Sequence, residues 1–115
     1  MHEVHLVREI IDAVVWQATS RGARRVKLVK VLFNRLARHS VGHVRMSFDI
    51  AKNERPITRE ALLVLDEVLP FVRCAECGHI FEANRLPDIC PECYAVGAEL
   101  VSPTNIILES FEIER

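Results

Sequence analysis

Apolar residues in the first twenty positions return in alternating steps of three and four. Val4, Val7, Ile11, Val14 and Ala18 fall on one side of a helix of 3.6 residues per turn, and Leu6, Ile10, Ala13 and Val15 widen that stripe. Gly22 suits a left-handed cap after the last turn, which predicts a helix ending near Arg21. The run 26–33 is rich in β-branched and large apolar residues and is too short and unbroken for a surface helix, so it reads as a strand covered on both faces, with Lys27 and Lys30 where cover is thin. Ser40 can cap a second helix in which Val41, Val44, Phe48 and Ala51 share a face, and Pro56 lies beyond its end near Asn53.

Residues 61–72 read as a second strand, interrupted at Asp66-Glu67 and leading directly into Cys74; Pro70 is tolerable near a strand end. Residues 106–113 form a third, in which Glu109, Phe111 and Ile113 alternate with Ser110, Glu112 and Glu114. A strand-helix-strand unit favours parallel pairing through a right-handed crossover, and the third strand must return from the intervening segment. The expected fold is therefore α+β, a mixed three-stranded sheet with two helices, plus a knob of two CxxC knuckles. Residues 1–73 and 94–115 would make the α/β domain, with 74–93 as the insert. An interrupted sheet of this kind allows a homodimer by exchange of the strand beside the insert.

The 115 residues allow one core and a small appendage, and 50% of them are hydrophobic, as in ordinary globular domains. No stretch approaches the roughly 20 apolar residues of a membrane span, and an acid at the third position is unlike a secretory leader, so the expected compartment is the cytoplasm with no membrane partner. A net charge of -1 lacks the positive field that binding many phosphates requires, so nucleic acid is not the expected partner. The densest basic run, Arg21, Arg24, Arg25, Lys27 and Lys30, reads first as a solvated helix end, and Glu109, Glu112 and Glu114 as its cross-strand complement. There is no phosphate loop, nucleophile elbow or paired carboxylate-histidine set, and an enzyme is not expected.

The four cysteines change the picture. Cys74-x2-Cys77 and Cys90-x2-Cys93 can each turn two sulfurs toward one ion, and together they complete a tetrahedron of thiolates suited to zinc. Four thiolates leave no open position, so this zinc would be structural. A pair of redox motifs is the competing reading, but neither CxxC opens a helix after a strand. Gly78 follows the first turn and Tyr94 the second, which predicts a more strained exit from Cys93. His79 reads as a solvated loop residue, and His39 and His43 as surface residues flanking the Ser40 cap.

At the other end, Met1-His2-Glu3 offers a terminal amine, the His2 backbone nitrogen and the His2 imidazole, which close five- and six-membered chelate rings in one plane. A fourth donor is within reach from Glu3, and planar nitrogen coordination suits Ni(II) and Cu(II). The bulk of His2 should protect Met1 from removal. His5 lies three residues on, but the helix is expected to start between them.

Met1-His2-Glu3, the helix after it, Gly22-Ala23-Arg24-Arg25-Val26, the late CxxC pair and Phe111-Glu112-Ile113-Glu114 occur in one order over essentially the whole chain. In that order the sequence resembles the HypA/HybF family of hydrogenase maturation proteins. The resemblance implies a nickel metallochaperone that binds Ni(II) as cargo at Met1, His2 and Glu3. It implies structural Zn(II) at Cys74, Cys77, Cys90 and Cys93. The implied partners are the maturation GTPase HypB and the hydrogenase large subunit, with urease maturation a second destination in some relatives. Two departures stand out: Phe33-Asn34-Arg35-Leu36 where the family has a Gly-containing turn, and Tyr94 where Gly often follows the last cysteine. The rival reading is a zinc-ribbon adaptor for protein or nucleic acid with no nickel role.

Overall fold

The structure is a computed structural model describing residues 2–37, 40–103 and 105–115, with the backbone alone at positions 2 and 3. Helix α1 spans His2–Ser20, strand β1 Arg25–Asn34 and helix α2 Val41–Lys52. A single 3-10 turn, Pro56–Thr58, precedes β2, Leu62–Val68. Then come β3, Phe71–Cys74; β4, Ile80–Glu82; β5, Ala98–Ser102; and β6, Ile106–Glu114.

The sequence signals for α1 are met in the structure. Val7, Ile11, Val14 and Ala18 are buried, each of the larger side chains contributing roughly 1.5–3 kcal/mol. The helix ends as Gly22 predicts. Its φ is 71°, the Gly22 N–H donates to the Thr19 carbonyl at 3.1 Å, and the Ala23 N–H reaches back to the Ala18 carbonyl at 3.0 Å, so these last-turn carbonyls are satisfied. The Ser40 hydroxyl accepts the His43 N–H and caps α2; of the face anticipated, Val44, Phe48 and Ala51 are buried, Val41 is half-buried, and Ser47 joins the buried side.

The described residues form two three-stranded sheets, in orders β2-β1-β6 and β4-β3-β5. In the first, Arg25 pairs with Glu60 just ahead of β2, while the Arg35 N–H bonds to the Val68 carbonyl at its far end, so β1 and β2 run in the same direction. Bonds from Arg24 N–H to the Glu114 carbonyl and from Asn34 N–H to Asn105 make β1 and β6 antiparallel. The sheet is mixed, as expected.

The stretch 61–72 is not one interrupted strand. It divides at Leu69-Pro70 rather than at Asp66-Glu67, and its two parts belong to different sheets. Pro70 has no N–H to give a ladder, and its carbonyl accepts from Ala83 at 2.9 Å, which commits the chain beyond it to the second sheet. There β3 pairs antiparallel with β4, Val72 opposite Phe81, and with β5, Val72 opposite Leu100.

The chain clusters into two compact units. One comprises residues 1–31, 39–66 and 108–115, the other 32–38 and 67–107. The first draws its core from α1, α2 and β1, and α1 packs on α2. The second reaches beyond 74–93 on both sides, because β3 and β5 carry the sheet from which the knuckles project. Its buried residues include Phe33, Val72, Cys74, Ala83 and Cys90. Asn34 is buried here as well; its side-chain amide donates to the Pro103 carbonyl at 2.9 Å and its oxygen accepts the Leu36 N–H at 2.8 Å.

Candidate metal centre

Cys74 closes β3, and the chain turns at once. The Gly78 N–H returns to the Cys74 carbonyl at 3.0 Å, the Glu76 N–H lies 3.4 Å from the Cys74 sulfur, and the Cys74 N–H donates to the His79 carbonyl at 2.8 Å. The second turn repeats this residue for residue. Tyr94 N–H meets the Cys90 carbonyl at 2.9 Å, Glu92 N–H the Cys90 sulfur at 3.4 Å, and Cys90 N–H the Ala95 carbonyl at 3.0 Å. Both exits are left-handed, at φ 76° for Gly78 and 63° for Tyr94. The strain anticipated after Cys93 is therefore present, while the two knuckles share one hydrogen-bond pattern.

The four sulfurs all lie within 4.8 Å of one another. Cys74 and Cys93 approach to 3.5 Å and Cys77 and Cys90 to 3.6 Å, so both of these contacts join one knuckle to the other. A zinc ion with sulfurs at about 2.3 Å holds them about 3.8 Å apart in a tetrahedron, and the present spacings fit that ion. All four cysteines are free of disulfides, Cys74 and Cys90 buried, Cys77 and Cys93 exposed. Among the described residues this is the one group of three or more potential donors close enough to hold a metal.

The local field prepares one thiolate, at Cys74, and resists two, at Cys77 and Cys93. The Cys77 amide first, and the Glu76 amide second, lower the Cys74 thiol to about 6. At Cys93 the Ala95 amide pulls downward, but hydrogen bonding to Cys74, burial and the neighbouring Cys77 and Cys90 outweigh it, and the thiol is pushed up to about 12. Four like charges cannot gather at this spacing without a cation to bind them.

The nickel donors suggested by the sequence fall on Met1, His2 and Glu3, whose side chains lie outside the described residues, as does His39. At the backbone level α1 already begins at His2. His79 is half-buried rather than solvated, its ring lying parallel to Phe81 at 6.0 Å between centroids. Sequence reasoning misses Asn34 as an anchor, since its partner Pro103 stands far away along the chain. The change from the family's Gly-containing turn at Phe33-Asn34-Arg35-Leu36 is the one signal that points to this place.

Residues 1–113 match the family described as hydrogenase/urease nickel incorporation, metallochaperone, hypA. The chain belongs to this family. A hydrogenase maturation factor HypA from Pelodictyon phaeoclathratiforme is 32% identical over 114 residues, covering 99% of this chain and 97% of that one. One from Chlorobium luteolum is likewise 32% identical with the same coverage, and one from Dehalococcoides mccartyi strain BAV1 is 28% identical over 114 residues, 99% and 95% covered. The solution structure of the nickel metallochaperone HypA from Helicobacter pylori superposes with a TM-score of 0.84 over 97% of each chain at 19% identity, which shows a shared fold. A role in nickel incorporation for hydrogenase follows from membership of the HypA family, and the four-cysteine cluster is a metal site. No helix among the described residues is long and apolar enough to cross a membrane.

Proposed function

We propose that the protein takes up Ni(II) at its N-terminus, carries it, and surrenders it to the hydrogenase large subunit in concert with the GTPase HypB, in the cytoplasm. The observation that carries this reading is the match of residues 1–113, beginning with Met1-His2-Glu3, to a nickel-incorporation family. The terminal amine, the His2 nitrogens and a donor from Glu3 supply the planar nitrogen-rich set that Ni(II) favours. The start of α1 at His2 supports it, because the first N–H groups of a helix have no acceptor within the helix and are free for other use.

Cys74, Cys77, Cys90 and Cys93 would hold Zn(II) in a closed shell. Bound there, zinc supplies crosslinking and charge balance, with no coordination position left for a substrate. The cysteine unit is then the surface-bearing part of the molecule, and the N-terminus carries the exchangeable metal. No enzyme activity is assigned.

Titration of untagged protein with nickel tests this. A planar-nickel absorption band should grow to one equivalent, and His2→Ala should abolish it while zinc content stays at one per chain. Unchanged nickel affinity in His2→Ala would leave the zinc-ribbon adaptor as the reading. Any residue placed ahead of Met1 would block the amine and give the same loss as His2→Ala.

A further inference from the structure

The sequence alone separates His5 from His2, because α1 is expected to begin between them. The helix in fact begins at His2, so positions 2, 5 and 9 stand on one continuous helix at i, i+3 and i+7, within about 60° of one another around its axis. The His5 Nε2 lies 3.2 Å from Glu9 Oε1, and the two side chains are 77% and 64% exposed. Their charged neighbours on the same helix are engaged elsewhere: Arg8 forms a two-armed bond to Glu54, and Asp12 pairs with Arg55. Nothing else described on the helix claims the His5-Glu9 pair.

An imidazole nitrogen and a carboxylate oxygen are the donors that a borderline divalent cation accepts together. With bonds of about 2.1 Å, two adjacent positions of an octahedron stand about 3.0 Å apart. The 3.2 Å separation therefore matches two adjacent positions on such an ion. Two donors hold it weakly, and water completes the shell.

We propose that His5 and Glu9 form a landing station for aquated Ni(II), one turn inside the helix, from which the ion passes to the N-terminal chelate. The relay rests on the N-terminal nickel reading. Two waters leave as the nickel-nitrogen and nickel-oxygen bonds form, and any proton on Nε2 passes to solvent. The backbone of His2 stands three positions, about 4.5 Å of helix rise, ahead of His5, and the N-terminal nitrogens then displace His5, Glu9 and the remaining waters. The amine and amide protons also go to water, and nickel remains divalent throughout. The change from octahedral to planar geometry drives the ion in one direction, out of a weak site and into a strong one.

The two geometries differ magnetically, since octahedral Ni(II) is paramagnetic and planar Ni(II) is not. In untagged His2→Ala protein, substoichiometric nickel chloride should broaden the His5 and Glu9 resonances, and the added His5→Ala should remove broadening at Glu9. In otherwise unaltered protein, His5→Ala should leave final nickel occupancy and zinc content unchanged but slow the stopped-flow appearance of the planar band roughly tenfold, the loss of a local-concentration effect. Glu9→Gln should slow it less. No broadening at His5 and Glu9, or broadening at Glu9 that survives His5→Ala, overturns the station; an unchanged loading rate in His5→Ala overturns the relay. A planar band that persists in His2→Ala would instead sink the N-terminal reading, so the two failures are distinct.

Discussion

Tyr94 holds a left-handed backbone at φ 63° with its ring 77% exposed, so little burial offsets the strain. An L-residue in that region costs about 1–2 kcal/mol relative to its ordinary conformations, whereas glycine escapes the penalty. Tyr94→Gly should therefore raise the denaturation midpoint of the zinc-loaded protein, by up to about 1 kcal/mol after the greater freedom of unfolded glycine is deducted. Gly78→Ala should lower it by about 1 kcal/mol, the same strain introduced at the sister turn. Asn34 offers the opposite case. Asn34→Ala strips a partner from both the Pro103 carbonyl and the Leu36 N–H, and urea unfolding should show a loss of about 2 kcal/mol. At this scale the cysteines, Gly22 and the Tyr94 strain were legible because spacing and backbone chemistry are local. The role of Asn34 was not, because a carbonyl 69 positions away defines it.

Elements were legible where a period had room to repeat. The stripe of α1, the Ser40 cap of α2 and the apolar run of β1 each carry enough residues to declare themselves. Strand β4 has three residues and β5 five, too few for alternation to stand out, and they acquire strand geometry only by pairing with β3. The expectation that acids on the last strand answer bases on its neighbour is met at Glu109 and Glu114: Lys30 meets Glu109 at 3.1 Å, while Arg25 and, just ahead of β1, Arg24 both reach Glu114. These contacts predict how the first sheet responds to acid. Arg25 first, then Arg24, hold the Glu114 carboxyl below its ordinary value of 4.5. A depressed folded-state value means that the contribution is complete above 4.5 and disappears as pH falls through the lower, folded value. Thermal unfolding from about pH 6 down to about pH 3 should show this loss, and Glu114→Gln should lack that part of the pH dependence.

Taken whole, the chain has one unit with an ordinary apolar core and another in which buried thiols are part of the interior. Metal removal should separate them. Chelation at neutral pH is expected to release hydrogen-exchange protection across 67–107 while α1, α2 and β1 residues 25–31 remain protected. Simultaneous loss of protection in both units would contradict this division. Fold class and the paired knuckles were open to reading in the sequence because each rests on local pattern. The extent of the second unit was not, since β3 and β5 meet across the whole cysteine segment and no local signal records that pairing.

The strand order β2-β1-β6 also bears on synthesis. The ribosome makes β1, then β2, then the entire cysteine segment before β6 emerges, so one flank of β1 waits without its final neighbour. A strand flank left open is a template for pairing with other nascent chains. Folding of the cysteine segment around the proposed zinc would shorten the loop that β6 must close. Scarcity of zinc during translation should thus lower the yield of soluble chain, and the nickel pathway would lose its carrier before any nickel had been misdelivered.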